Sequence, residues 1–193
     1  NGEFKVTGTD KSIALPMVAL AAYTAHNLPD GMEPGLKEGA FYDPTNFTFP
    51  AGAYICEMEV DSATGKSTFV NFVAADDFGR LINPMIVEGL FGARHIGSLR
   101  KALLQGAVYD SSGQLLTASF MDYSMPRADD LPSFKLSHTT TLCPGNPLGV
   151  KGCGEAGAIG ASAAVINAIT DAIGHNKLEM PATPDRVWHA IHG

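Results

Sequence analysis

Hydrophobic and polar residues alternate along two neighbouring stretches, 53–61 and 67–75, and this period of two predicts a pair of strands. Four side chains of the first stretch share one face: Tyr54, Cys56, Met58 and Val60. The five residues 62–66 join the stretches and include a glycine, which predicts a β-hairpin. Because cysteine is among the most frequently buried residues, we expect Cys56 to pack in the core.

Apolar residues recur at helical spacing in three further segments. Residues 12–27 and 85–105 form two of the predicted helices. In the third, the recurring positions are Ile159, Ala163, Ile166, Thr170 and Ile173. Gly174 is then the predicted C-cap of that helix. A last helix is expected after Thr183, the predicted N-cap, with Pro184 at its first position.

The remaining pattern predicts more strands and one long connection. Residues 1–8 and 134–142 read as single strands, and 107–110 with 115–120 read as a second hairpin. Hairpins mixed with separated helices predict an α+β (mixed α/β) fold. The proline- and glycine-rich segment 29–52 is predicted to be a long loop or a linker.

We therefore treat residues 1–193 as one domain region with room for two lobes joined near 29–52. Within this region the pair Asp76–Asp77 is expected to stabilise a turn and cap the following helix, rather than to bind a cation.

Charge and cysteine content narrow the possible functions. The chain carries 13 basic and 20 acidic residues, a net charge of −7 at pH 7, so affinity for nucleic acid or an anionic membrane is not expected. Its apolar runs are too short to predict a membrane span. The three cysteines include no C-x-x-C pair, which argues against a zinc site or a disulfide framework. A reducing, cytoplasmic location is the corresponding expectation.

The most informative stretch is 146–160, with five glycines in fifteen residues. Gly152–Gly157 matches the dinucleotide motif G-x-G-x-x-G, but residues 143–151 ahead of it contain two prolines and a charge and make a poor strand. A second interpretation gives Glu155 only the role of complementing a helix dipole. In a third, Glu155 is a general base beside an anionic or metal centre, and backbone N–H groups hold oxygen or sulfur ligands.

Glycine density favours the third interpretation. Four glycines fall within the nine residues 149–157, and each loses extra backbone entropy on folding. Such density is typical of a loop that something approaches closely. On this interpretation, Lys151 would add positive potential.

Four segments resemble one family in the same order along the chain: 73–89, 107–132, 147–160 and 180–188. Their sequences include ADDFGRLINP and the Gly-x-Gly-Glu element at Gly152–Glu155, which are specific in combination. The chain resembles the large subunits of molybdenum hydroxylases, the relatives of xanthine dehydrogenase, aldehyde oxidase and aerobic carbon monoxide dehydrogenase. The resemblance covers essentially the whole chain and only the C-terminal part of the family's large subunit.

This resemblance implies a molybdopterin-binding domain and an oxidoreductase acting on an aldehyde, an N-heterocycle or carbon monoxide. It implies that Glu155 is the general base that takes a proton from a molybdenum-bound hydroxide. It further implies a wall beside the cofactor, formed mainly by backbone groups of Lys151, Gly152, Cys153 and Gly154. The metal would have no protein ligand, because its sulfur donors come from the pterin, expected in its cytosine dinucleotide form.

The resemblance also implies partners: the remainder of the large subunit, iron–sulfur and FAD subunits or domains that carry electrons away, and a small-molecule substrate. One segment departs from the family. Residues 90–97 lack the polar side chain that contacts the pterin in relatives, and Gly97 stands about where it is expected. A non-catalytic scaffold that has lost the cofactor therefore stays open as an alternative, as does a dinucleotide-binding domain. The three histidines His95, His138 and His175 have no ligand spacing and are expected at the surface or in the core.

Overall fold

The computed structural model describes residues 2–24, 26–125, 127, 132–175 and 177–193. The chain divides into two compact units, Asn1–Asp43 and Pro44–Gly193. The boundary between them lies inside the predicted linker 29–52, in which no residue before Ala51 belongs to a helix or strand.

Where the structure describes it, the first unit contains a small antiparallel sheet and one helix. Its elements are β1 (Glu3–Lys5), β2 (Ser12–Ala14) and α1 (Leu15–Thr24). The helix predicted from Ser12 begins only at Leu15, because the three preceding residues pair with β1 instead. No residue of α1 is buried.

The described part of the second unit combines a three-stranded sheet, in the order β3-β4-β5, with four helices. Its strands are β3 (Ala51–Val60), β4 (Ser67–Asp77) and β5 (Phe134–Thr139), and its helices are α2 (Pro84–Leu103), α3 (Ala156–Ile159), α4 (Ala161–Ile173) and α5 (Pro184–His192). The antiparallel hairpin β3–β4 is confirmed, with Gly52 opposite Asp76. Strand β5 pairs with β4 in parallel, placing Phe134 beside Phe72.

The core lies where α2 and α4 pack against this sheet. Phe72 and Ala74 of β4 are fully buried together with Leu99 of α2 and Val165 and Ile169 of α4. The predicted inward face of β3 borders this core, as expected from its alternation: Tyr54, Cys56, Met58 and Val60. Burial raises the pKa of the Cys56 thiol to about 12, which keeps it protonated and unreactive at neutral pH.

The helix after the glycine loop is confirmed, but its predicted inward face is only partly right. Gly160 separates α3 from α4, and the fully buried residues of α4 are Ala161, Val165 and Ile169. Ile159 is instead 72% exposed. The polar residues Asn167 and Asp171, four positions apart, mark the exposed side of α4, a signal that the apolar recurrence alone does not contain. Gly174 does adopt the left-handed C-cap conformation, with φ at 67°.

The expectation that every apolar run is too short for a membrane span does not hold at one place: the segment Ala156–Ile173 has a mean hydropathy of 1.4 and is long and apolar enough, by composition alone, to cross a membrane. A core helix of a globular protein meets the same criterion, and α4 buries part of its surface against α2 and β3.

Two local predictions were wrong. Residues 107–120 form a turn with a single bridge between Tyr109 and Leu115 rather than two strands. The Asp110 carboxylate organises this turn by accepting hydrogen bonds from the N–H groups of Ser112 and Gln114. Helix α2 is capped by Asn83, whose Oδ1 accepts from the Ile86 N–H at 3.2 Å, and not by the aspartate pair. Thr183 does precede α5 as its N-cap residue.

Candidate functional site

The candidate site is the loop from Lys151 to Glu155, which the protein fixes at both ends. At the upstream end, the Lys151 Nζ lies 3.2 Å from the Asp77 Oδ2, and only 12% and 11% of the two side chains are exposed. The Lys151 N–H also donates to the Phe78 carbonyl at 2.9 Å. The charge of Lys151 is therefore compensated by the protein, so the expected extra positive potential is not available to a ligand.

Asp77 is the centre of this upstream anchor. Its carboxylate accepts from the Thr141 N–H at 3.1 Å and from the Gly79 N–H at 2.8 Å, besides the ion pair with Lys151. The Thr141 hydrogen bond, with the contributions of Gly79 and Lys151, holds the pKa of Asp77 well below its usual range. An ionised carboxylate is thereby built into the turn that carries the loop.

At the downstream end, Tyr54 holds the start of α3. Its Oη lies 2.8 Å from the Ala156 carbonyl oxygen, and its ring occupies the space where a Cβ on Gly160 would stand. A Cβ on Gly157 would lie 2.8 Å from the Nδ1 of His95. The close approach expected at these two glycines is therefore made by the protein itself.

Between the two anchors, the loop is largely exposed. Gly152, Gly154 and Glu155 are exposed, and the Gly152 N–H donates to the Thr48 Oγ1 at 3.0 Å. Within the described part of the chain, no acceptor is bonded to the N–H groups of Cys153, Gly154 and Glu155. A Cβ on Gly154 would meet nothing within 4 Å.

The side chains of this segment point to two different roles. Cys153 is half-buried and packs against the core, where its side chain fills space. The exposed Glu155 carboxylate has no hydrogen bond to any described residue. A carboxylate in this position is free to accept a proton from a bound molecule, and the neighbouring N–H groups can donate to its oxygen or sulfur atoms.

A metal at this site would have to arrive with its own donors. Among the described residues, no three of the His, Cys, Asp and Glu side chains lie close enough to hold a metal ion. His95 is fully buried and packs against the rings of Tyr54 and Phe72, with ring centroids 5.2 and 5.3 Å apart, so it belongs to the core. His138 and His175 are exposed, which is the surface position that was one of the two expectations for them.

The dinucleotide interpretation lacks its structural context. That motif needs a strand that leads directly into the first glycine. Ahead of Gly152, the described chain has only an isolated bridge between Gly79 and Val150. Helix α3, which follows, has four residues.

A mixed sheet-and-helix unit that presents backbone donors and one carboxylate on an anchored loop has the groups with which a protein can hold a cofactor. The model of the molybdopterin cofactor-binding domain matches residues 1–132, and the chain belongs to this family, as part of a molybdenum hydroxylase large subunit. The predicted family and mixed fold are thus confirmed.

Individual relatives agree with this assignment. The carbon monoxide dehydrogenase large chain of Hydrogenophaga pseudoflava is 38% identical over 191 residues, which are 97% of this chain and 24% of the relative. The nicotine 6-hydroxylase large subunit of Paenarthrobacter nicotinovorans is 36% identical, over 100% of this chain and 24% of its own length. The crystal structure of quinoline 2-oxidoreductase from Pseudomonas putida 86 matches with a TM-score of 0.89 and 34% identity, over 100% of this chain and 25% of that chain.

The chain thus spans about a quarter of the length of these relatives, at 24% and 25%. The family model ends at residue 132, ahead of the loop, whereas the similarity to relatives extends over the loop as well. The roles of Lys151, Gly152, Cys153, Gly154 and Glu155 remain predictions.

Proposed function

We propose that this chain forms one wall of the molybdopterin site in a molybdenum hydroxylase and supplies Glu155 as the general base. The reaction is the oxidation of a small carbon substrate, namely an aldehyde, an N-heterocycle or carbon monoxide. The observation that carries the proposal is the exposed Glu155 carboxylate, at the end of a loop that is anchored at Asp77 and at Tyr54. Anchors of this kind hold a catalytic group in place without covering it.

The loop fits the cofactor by the chemistry of its donors. The N–H groups of Cys153 and Gly154, which have no acceptor among the described residues, suit oxygen or sulfur acceptors, and Gly154 has no side chain to keep a ligand away. We propose these two residues, with the backbone of Lys151 and Gly152, as the cofactor wall. The cytosine dinucleotide form of the pterin is part of the same proposal.

When bound, the cofactor supplies an acidified oxygen nucleophile and accepts the electrons of substrate oxidation. Glu155 accepts the proton at a carboxylate oxygen, and it must be ionised before it does so. The nearest basic side chain along the loop, Lys151, is already paired with Asp77, so it does not form a competing ion pair with Glu155. Glu155 is therefore left available for the proton.

Other chains complete the enzyme in this proposal. The remainder of the large subunit supplies the other cofactor contacts, and iron–sulfur and FAD subunits or domains carry electrons away. Helix α1 supports an extensive interface, because it is apolar and has no buried residue of its own. The same proposal places the enzyme in the cytoplasm and gives it no nucleic-acid partner.

The test is Glu155→Gln in the assembled enzyme, measured as turnover together with molybdenum content. We expect kcat to fall by about 10²–10⁴-fold, the usual contribution of a general base, with molybdenum retained. Glu59→Gln, an exposed glutamate on β3, is the matched control and should keep its activity. Wild-type material that carries no molybdenum after co-expression with its partners would instead support the non-catalytic scaffold.

A further inference from the structure

We propose that Tyr54 and Asp76 form a positioning pair in which a protonated Asp76 donates to Tyr54 and Tyr54 donates to the Ala156 carbonyl. The pair fixes the residue that directly follows Glu155. Its catalytic consequence rests on the proposed function of Glu155, whereas its protonation state does not.

The proposal follows from counting protons around one hydroxyl. The Tyr54 Oη lies 2.7 Å from the Asp76 Oδ1 and 2.8 Å from the Ala156 carbonyl oxygen, both ordinary O–H···O lengths. A phenol has one proton, and a carbonyl oxygen can only accept. If Tyr54 donates to Ala156, the short contact with Asp76 needs a proton on the carboxyl.

The burial of Asp76 favours its neutral, protonated form. Asp76 is 2% exposed, and its Oδ2 is buried without a hydrogen-bond partner among the described residues. Leaving a carboxylate in such a place is costly, because water no longer solvates the charge. Burial accordingly raises the pKa of Asp76, while the Tyr54 hydrogen bond and the nearby His95 act in the opposite direction.

The elements around Asp76 contribute few titratable groups. Strand β3 brings Tyr54, α2 brings His95, and β5 places the exposed His138 in register with Asp76. Helix α3 contributes only the carbonyl of Ala156. Among the described residues, His95 is thus the group facing the pair whose protonation would compete with a proton on Asp76.

The backbone makes space for the pair. Gly52 lies opposite Asp76 on β3, and a Cβ there would overlap the Asp76 Oδ1 and lie 3.1 Å from the Tyr54 hydroxyl. The Tyr54 ring likewise fills the space beside Gly160. A side chain at Gly52 or at Gly160 would displace the pair. Glycine at both positions therefore leaves the space that Asp76 and Tyr54 occupy.

The first test is infrared difference spectroscopy of the assembled enzyme at neutral pH, with Asp76→Asn compared with the wild type. We expect a carbonyl-stretch band of a protonated carboxyl that disappears in the variant. If the only band lost is that of an ionised carboxylate, Asp76 is charged and the proposal is wrong. This readout needs no turnover, so it separates the pair from the role of Glu155.

The second test uses activity and hydrogen exchange. Asp76→Asn keeps a donor towards Tyr54, so kcat should stay within about threefold of the wild type, since a typical hydrogen bond is retained. Tyr54→Phe removes the bond to Ala156, and we expect kcat to fall about tenfold with KM unchanged and the α3 amides to exchange faster. Normal kcat and exchange in Tyr54→Phe would overturn the positioning role.

The outcomes distinguish the two proposals. Full activity in Glu155→Gln together with the protonated band would remove Glu155 from the mechanism and leave the pair. An inactive Glu155→Gln enzyme without that band would retain the base and remove the pair.

Discussion

Gly154 and Gly160 lie on the two sides of Glu155 and are predicted to contact different groups: the cofactor at Gly154 and the Tyr54 ring at Gly160. Substituting each glycine by alanine tests the two contacts separately. Gly160 lies at φ −95° and ψ −21°, which alanine adopts without strain. Placing alanine in a helix instead of glycine stabilises by up to about 1 kcal/mol. The added methyl would overlap the Tyr54 ring, however, and overpacking costs about 1–3 kcal/mol.

Because the methyl would overlap two ring atoms of Tyr54, the overpacking cost lies at the upper end, about 2–3 kcal/mol. The net expectation for Gly160→Ala is then a local destabilisation of about 1–2 kcal/mol, which corresponds to a roughly 5–30-fold change in the opening equilibrium. Hydrogen exchange of the α4 amides in the assembled enzyme measures this directly. Unchanged or slower exchange would refute the reasoning, because it would mean that the Tyr54 ring does not press on Gly160.

Gly154→Ala is the matched substitution on the other side of Glu155. A Cβ there meets nothing within 4 Å of the chain. We therefore expect the opening free energy measured by hydrogen exchange to change by no more than about 0.5 kcal/mol, as for other surface sites. If Gly154 faces the cofactor, the same variant should nevertheless lose molybdenum or turnover. A stable variant with full molybdenum and full activity would contradict that assignment.

Two further predictions concern the framework of the site. Ile169→Ala empties a fully buried position in α4 and should cost about 2–5 kcal/mol in unfolding experiments. Ile159→Ala, at a position of α3 that is 72% exposed, should change stability by less than about 0.5 kcal/mol. Equal effects would contradict the observed difference in burial between these two positions. Asp77 has a depressed pKa in the folded protein, so its stabilisation is present above its unfolded pKa of about 3.9 and is lost as pH falls towards the folded value. Asp77→Asn should therefore lower the melting temperature at neutral pH and flatten its acid dependence below about pH 4, and a melting profile parallel to the wild type would disprove this.

Local sequence patterns predicted the parts of the fold that depend on neighbouring residues. The alternation of β3 and β4 and the short connection between them were enough for the hairpin. The parallel pairing of β4 with β5 joins residues such as Phe72 and Phe134, far apart in sequence, and no local pattern contains that information. The inward face of α4 was only partly predicted, because the apolar recurrence was interpreted without Asn167 and Asp171, the polar residues that mark its exposed side.

For the candidate site, the sequence indicated the loop but not the way it is held. Glycine density correctly indicated close approach, yet at Gly157 and Gly160 the approaching groups are His95 and Tyr54 of the chain itself. The ion pair of Lys151 with Asp77 was missed, because the two residues are brought together only by the fold. Both residues stood out in the sequence, Lys151 in the glycine loop and Asp77 in the Asp76–Asp77 pair, but each was interpreted without the other.

The most direct test of the central claim is the rate at which substrate reduces the molybdenum centre under anaerobic, single-turnover conditions. This measurement isolates the proton-transfer step from electron transfer to the partner subunits. We predict that Glu155→Gln, with molybdenum content equal to the wild type, slows this reduction at least about 100-fold. Reduction at the wild-type rate would contradict the assignment of Glu155 as the general base.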